Sequence, residues 1–252
     1  MSQPLSIYKR MPKQLPYSLG FDRYALYFDG ENDYVEVPDA PELNPTDGIV
    51  LEAMYRWDGN YKVWPFVINK RAQYQLYFDL ETPCAGAKFQ LFFDDGSYID
   101  LVTTRKVVCV NRWVHQLCGF DGRYMYIIVN GELLLTRDTG GKKLTTTTNP
   151  LGIGARLYDA FFGGWIAFVR IYDARIFNWL SAQGRDIVWL ARYNMLNYHN
   201  PVRDGLVLWL DFEEGHGDKV YDKSGYGNHG TIYGGAKWVR VKQYELRAEV
   251  GL

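Results

Sequence analysis

The sequence predicts an all-β protein built as one two-sheet antiparallel β-sandwich. Three observations carry that expectation. Short apolar runs of strand length recur along most of the chain. Tight-turn dipeptides such as Asp29-Gly30, Asp121-Gly122 and Asn130-Gly131 separate several of them. One stretch alone carries a helical repeat of apolar residues. The 252 residues are 47% hydrophobic and 16% aromatic, enough to fill a core, and a sandwich of this length is an ordinary single domain.

Charge and patterning exclude several function classes. The formal net charge is −1 and no basic block appears, so a nucleic-acid partner is not expected. No apolar stretch reaches the length of a membrane span. The N-terminal residues lack the apolar core of a secretory leader. The cysteines, Cys84, Cys109 and Cys118, are odd in number and lack metal spacing, so buried thiols are expected.

Residues 1–20 read as an extended arm, because Pro4, Pro12 and Pro16 oppose helix and interrupt ladders. Such an arm suits packing on a neighbouring subunit. Residues 21–252 form the sandwich. Strands are expected at Tyr24–Phe28, Tyr34–Val37, Ile49–Trp57, Val63–Asn69, Gln73–Leu80, Lys88–Phe93 and Tyr98–Val102. Trp113–Phe120, Arg123–Val129 and Glu132–Thr136 form a meander across the two Gly turns. Lys142–Asn149 is a polar loop or weak edge. Leu151–Ala155 and Gly164–Tyr172 follow. In the latter, alternation puts Trp165, Ala167, Val169 and Ile171 on one face, with Ile166, Phe168 and Tyr172 on the other. Residues 181–196 are expected as one short helix, capped by Ser181, that packs Ile187, Leu190, Ala191 and Met195 on the sandwich.

Four segments resemble a known family: ALYFDGENDYVEVPD, RWVHQLCGFDGRYMYIIVNGELL, IGARLYDAFFGGWIAFVRIYDARI and LVLWLDFEEGHGDKVYDKSGYGNHGTIYGGAKW. They are similar to laminin-G-like jelly rolls of the concanavalin A-like lectin/glucanase superfamily. The segment around Asp222 comes first in a typical member and last here. That order implies circular permutation, with a truncated second repeat as the rival reading, and permutation places Leu206–Phe212 inside the sandwich and Thr231–Tyr233 near Tyr24–Phe28.

The resemblance also implies sites. Many relatives bind calcium, and Asp222 and Asn228 match the family motif, with Asp29 as a third ligand if the rearranged strands pair as usual. The competing reading is that Asp222, Ser224 and Asn228 make Asx-type turns. A glycan or protein partner would use loop aromatics, here Tyr61 and Trp64 beside Asp58-Gly59-Asn60, and Tyr158, Phe161 and Phe162 in a second loop. Against that, any single aromatic is more often buried. Glucanases of the superfamily align two carboxylates on one strand. The look-alike Trp209-Leu210-Asp211-Phe212-Glu213 has Trp where the first should be, so catalysis is not expected. His115 reads as a core residue rather than a base.

These features predict a non-catalytic jelly-roll module for surface recognition or assembly. It would bind carbohydrate, or serve as a structural subunit of a virion or other multi-subunit extracellular surface, as a homo-oligomer or larger assembly. A glycoside hydrolase or lyase on the same scaffold is the alternative.

Overall fold

The computed structural model describes residues 22–60 and 64–242. The expected N-terminal arm lies outside them. Ten strands come first: β1 (Asp22–Asp29), β2 (Tyr34–Val37), β3 (Ile49–Trp57), β4 (Phe66–Lys70), β5 (Tyr74–Phe78), β6 (Cys84–Phe92), β7 (Tyr98–Cys109), β8 (Trp113–Phe120), β9 (Tyr124–Val129) and β10 (Glu132–Asp138). A polar loop leads to β11 (Leu151–Ile153), β12 (Ala155–Arg156), β13 (Ala160–Phe161) and β14 (Gly163–Asp173). Helices α1 (Arg175–Ala182) and α2 (Ile187–Leu196) follow, then β15 (Leu206–Leu210), β16 (Lys219–Val220), β17 (Gly230–Tyr233) and β18 (Lys237–Lys242).

The strands form two antiparallel sheets packed as a sandwich. Sheet A runs β10-β9-β8-β3-β14-β1-β18, with β15 also on β14. Sheet B runs β16-β17-β2-β11-β4-β5-β6-β7, and β12 pairs with β13 as a separate ribbon. Between the sheets lies one apolar core. Leu26, Phe28, Leu51, Tyr55 and Val169 face it from sheet A, and Val35, Ile68, Leu76 and Phe89 from sheet B.

The C-terminal segment feeds both sheets, as its apolar residues require. Leu206–Leu210 is wholly buried. β15 and β1 share one lane along β14, opposite Val169–Tyr172 and Gly163–Ile166 respectively. Phe212, left-handed at φ 52, turns the chain out of that lane before β1 takes it over. The buried Arg23 staples the junction: its guanidinium donates to the carbonyls of Ala167 and Asp211 and pairs with Glu213 at 3.2 Å. Thr231–Tyr233 pairs with β2 in sheet B, and it is β18 that lies beside β1, with Asp22 opposite Lys242.

Three expectations need correction. The single helix is two, because Gly184 breaks it at φ 60 and Asp186, not Ser181, caps α2 by accepting the Trp189 N–H. A register shift between Ile166 and Phe168 interrupts the expected alternation in β14. Ile166, Val169 and Ile171 therefore enter the core, while Ala167 and Phe168 both face outward. Cys84 and Cys109 stand opposite each other on β6 and β7 and form a disulfide. Only Cys118 is a buried thiol, and burial pushes its pKa up to about 12.

The outward face of sheet A is partly roofed. Ile176, Leu180, Ile187, Leu190 and Ala191 of the helices cover Val50, Leu117 and Tyr172. Under that roof Glu52 accepts from His115 Nε2–H (2.7 Å), Asn194 Nδ2–H (2.9 Å) and Arg170 (3.2 Å), all fully buried. His115 is thus a core residue.

Candidate binding face on sheet B

Alternation sends every second residue of sheet B away from the core. The registers align these residues into a row across seven strands: Thr231, Glu36, Gly152, Asn69, Gln75, Gln90 and Asp100. The row is polar apart from Gly152, and among the described residues no helix covers this face. The β12–β13 ribbon crosses it instead. Leu157 of the connecting turn sits where a Cβ on Gly152 would be, at 2.9 Å. Ala160 packs on Phe66 and Tyr77.

Aromatic clusters flank the ribbon. On one side, Tyr34 of β2 stacks on Tyr233 of β17 at 5.0 Å, a cross-strand pair in register. Tyr158 and Phe161 approach Tyr34 at 6.0 and 6.4 Å. Tyr158 is the most exposed large residue of the group, at 69%. Its backbone is left-handed at φ 78, a conformation costly for a tyrosine, and its hydroxyl donates to Glu36 Oε2 at 3.0 Å. That bond raises the hydroxyl pKa. The result is a ring cluster beside an acceptor carboxylate, with ring area left open to solvent.

On the other side Trp64, 47% exposed, leans over Tyr77, with the Lys88 ammonium 5.0 Å from its ring. Lys88 is bracketed by Asp79 at 3.2 Å and Asp100 at 3.4 Å. The ammonium fills the space between the two carboxylates, where a glycosidic oxygen would have to sit for acid–nucleophile chemistry.

Of the expected partner-binding residues, the structure gathers Tyr158 and Phe161, and sets Trp64 across the ribbon on the same face. Tyr61 lies outside the described residues. Phe162 is corrected: it is fully buried and packs edge-on against Phe28, Tyr55 and Phe78 in the core. The chain reverses its facing between residues 161 and 162 as it enters β14. Tyr34, Tyr233 and Glu36 were not anticipated. Their outward parity beside Val35 and Ile232 was readable, but their adjacency depends on β17 pairing with β2.

The expected calcium ligands do not converge. Asp29 stands opposite Gly163, whereas Asp222 binds the N–H of Trp209, which stands opposite Arg170. Those levels are seven residues of β14 apart, roughly 20 Å of strand. Asp222 Oδ1 accepts the N–H groups of Trp209 and Ser224, and Oδ2 accepts those of Gly227 and Asn228 and the Ser224 hydroxyl. Asn228 donates to the Val207 carbonyl. These bonds tie the turn to β15 and occupy the oxygens a cation would need, so this trio does not fit calcium. Among the described residues no group of three or more His, Cys, Asp or Glu is placed to hold a metal. Asp211 and Glu213 are likewise engaged, with Lys223 and Arg23.

No helix among the described residues is long and apolar enough to cross a membrane. A comparison with curated protein sequences finds no match. Among solved structures, a Bacteroides ovatus protein to which carbohydrate binding is ascribed is similar at TM-score 0.64 and 18% identity, over 87% of this chain and 60% of its own. The chain thus spans about three-fifths of that protein. A heptameric SAP-like pentraxin from Limulus polyphemus is similar at TM-score 0.52 and 10% identity, over 75% of this chain and 92% of its own. At these identities the likeness is one of fold. Residues 29–177 match the laminin G family described as the concanavalin A-like lectin/glucanases superfamily, and with more than half its length matched, the chain belongs to that superfamily.

Proposed function

We propose that the protein is a non-catalytic carbohydrate-binding module whose ligand docks on the outward face of sheet B. The carrying observation is the Tyr34–Tyr233–Tyr158–Phe161 cluster beside Glu36. Sugar rings present apolar C–H faces that stack on aromatic rings, and their hydroxyls donate to carboxylates. A half-open ring cluster with one acceptor matches both demands. Tyr158 is held in a costly backbone conformation at this spot, as residues at functional sites often are.

The non-catalytic reading is favoured by the carboxylates. Glu36 on β2 and Asp100 on β7 are five strand spacings apart, about 24 Å, and Asp79 and Asp100 enclose an ammonium. The disulfide suits an oxidising, extracellular or surface setting. A place in a virion or other multi-subunit assembly belongs to the same reading and is tested by the particle mass.

The test is a glycan array followed by calorimetry on the best neutral oligosaccharide. Tyr158→Ala and Tyr233→Ala should each weaken binding about tenfold or more, the loss typical of an aromatic anchor. Unchanged affinity in both would remove the site from this face. The same titration with EDTA examines calcium, and loss of binding there would assign the ion to ligands other than Asp29, Asp222 and Asn228.

A further inference from the structure

The open end of the other outward face carries a second, chemically different surface. On sheet A the registers align Trp113, Arg56, Trp165, Tyr27 and Lys237 across β8, β3, β14, β1 and β18. Arg56 lies with its guanidinium carbon 4.8 Å from the Trp165 ring centre. Trp165 in turn packs on Tyr27 at 4.9 Å. Among the described residues no carboxylate pairs with Arg56, and its Nε–H is buried without an acceptor. Other half-buried or buried arginines here, Arg23 and Arg170, are paired with Glu213 and Glu52.

A stacked, unpaired guanidinium is a preformed fork for a planar oxyanion. Stacking fixes the plane, and the fork matches a carboxylate with two parallel hydrogen bonds. The Nε–H is closed off by its surroundings, so a carboxylate would be met by the two terminal Nη groups of the fork. Lys237, exposed at the far end of the row, adds a second cation. Asp58 accepts the Tyr27 hydroxyl at 3.1 Å and rims the same end. A bare polyanion would meet Asp58 as a like charge. A sugar acid would not, because it brings one carboxylate for Arg56, hydroxyl donors for Asp58 and a ring for the half-exposed Tyr27.

We infer that the Arg56–Trp165–Tyr27 row is an independent site for the carboxylate of a uronic-acid-containing glycan. The site lies on the opposite sheet from the Tyr158 cluster, and its occupation does not depend on the function proposed above.

The experiment is calorimetric titration of the full chain with trigalacturonate and with its methyl ester, which keeps the rings and removes the charge. Binding of the acid should exceed that of the ester about tenfold or more, as loss of a charge-assisted pair predicts. It should also weaken as salt rises. Arg56→Gln should abolish the preference, and Arg56→Lys should recover it only in part, because the charge returns without the fork. Melting curves of both variants check folding, and Lys237→Gln, exposed and away from the core, gives a smaller loss without a folding risk. Equal binding of acid and ester, or no binding of either, overturns the proposal. So does undiminished binding by Arg56→Gln. Poly-glutamate binding tighter than trigalacturonate would give the row to acidic proteins instead, and a response to inorganic sulfate equal to that for the uronate would reduce it to an ion site.

Discussion

The two sheets share one core but finish their outward faces in opposite ways. Sheet A lays two helices over part of its face and traps an ion pair beneath them. Among the described residues no helix covers sheet B, and its outward face carries a polar row and aromatic clusters crossed by a two-strand ribbon. The physical reason lies in the residues. Glu52, Arg170 and Asn194 satisfy one another, so a roof can close over them without stranding a charge. In the sheet B row Glu36 and Asp100 take their partners from outside the row, Tyr158 and Lys88, so the row is not closed on itself. A roofed face specifies structure, and an open one is free to recognise.

The strongest attempt to break that contrast is mutation of the buried pair. Glu52→Ala or Arg170→Met should cost about 3–5 kcal/mol by urea unfolding, since either leaves a buried charge alone. Gln90→Ala in the sheet B row should cost under about 1 kcal/mol. Equal costs would show that the two faces do not differ as described.

The same pair sharpens the contrast through pH. Burial pushes the Glu52 carboxyl up, but Arg170, His115 and Asn194 together outweigh it and hold the group below its ordinary range. A carboxyl depressed in the folded state contributes stability that is fully present above its unfolded value, near 4.3, and is lost as the pH falls through the folded value. Glu52→Gln should therefore flatten the acid limb of the stability curve, and an acid limb unchanged by that substitution would sink this account.

Sheet B has its own covalent brace, and removing it is the next largest effect. The disulfide spans 25 residues at the β6–β7 hairpin. Cys84→Ser with Cys109→Ser should lower stability by about 3 kcal/mol on the chain-entropy scale. Glycan binding at 25 °C should survive if enough stability remains, because the ring cluster sits on β2, β17 and the ribbon.

The smallest effect separates recognition from folding at one residue. Tyr158 is left-handed, so Tyr158→Gly should gain up to about 1 kcal/mol while losing the ring. Higher melting temperature with weaker glycan binding is the expected signature. A glycine variant that melts lower would mean that the Glu36 hydrogen bond outweighs the backbone cost.

The sequence by itself determined the fold class and most strands. Alternation and turn dipeptides are local signals, and Ile49–Trp57, Trp113–Phe120 and Tyr34–Val37 formed over the expected spans. It also marked Tyr158, Phe161 and Trp64 as loop aromatics, because bulky rings beside Gly-rich turns stand out in one dimension. Tertiary structure decided what depends on pairing between distant segments. It set Tyr233 against Tyr34, joined Cys84 to Cys109, drew Asp29 away from Asp222 and laid Arg56 on Trp165. It also turned Phe162 inward. Each outcome depends on register across strands far apart in the chain, and register is fixed by how all the apolar faces bury at once, a condition that no single segment encodes.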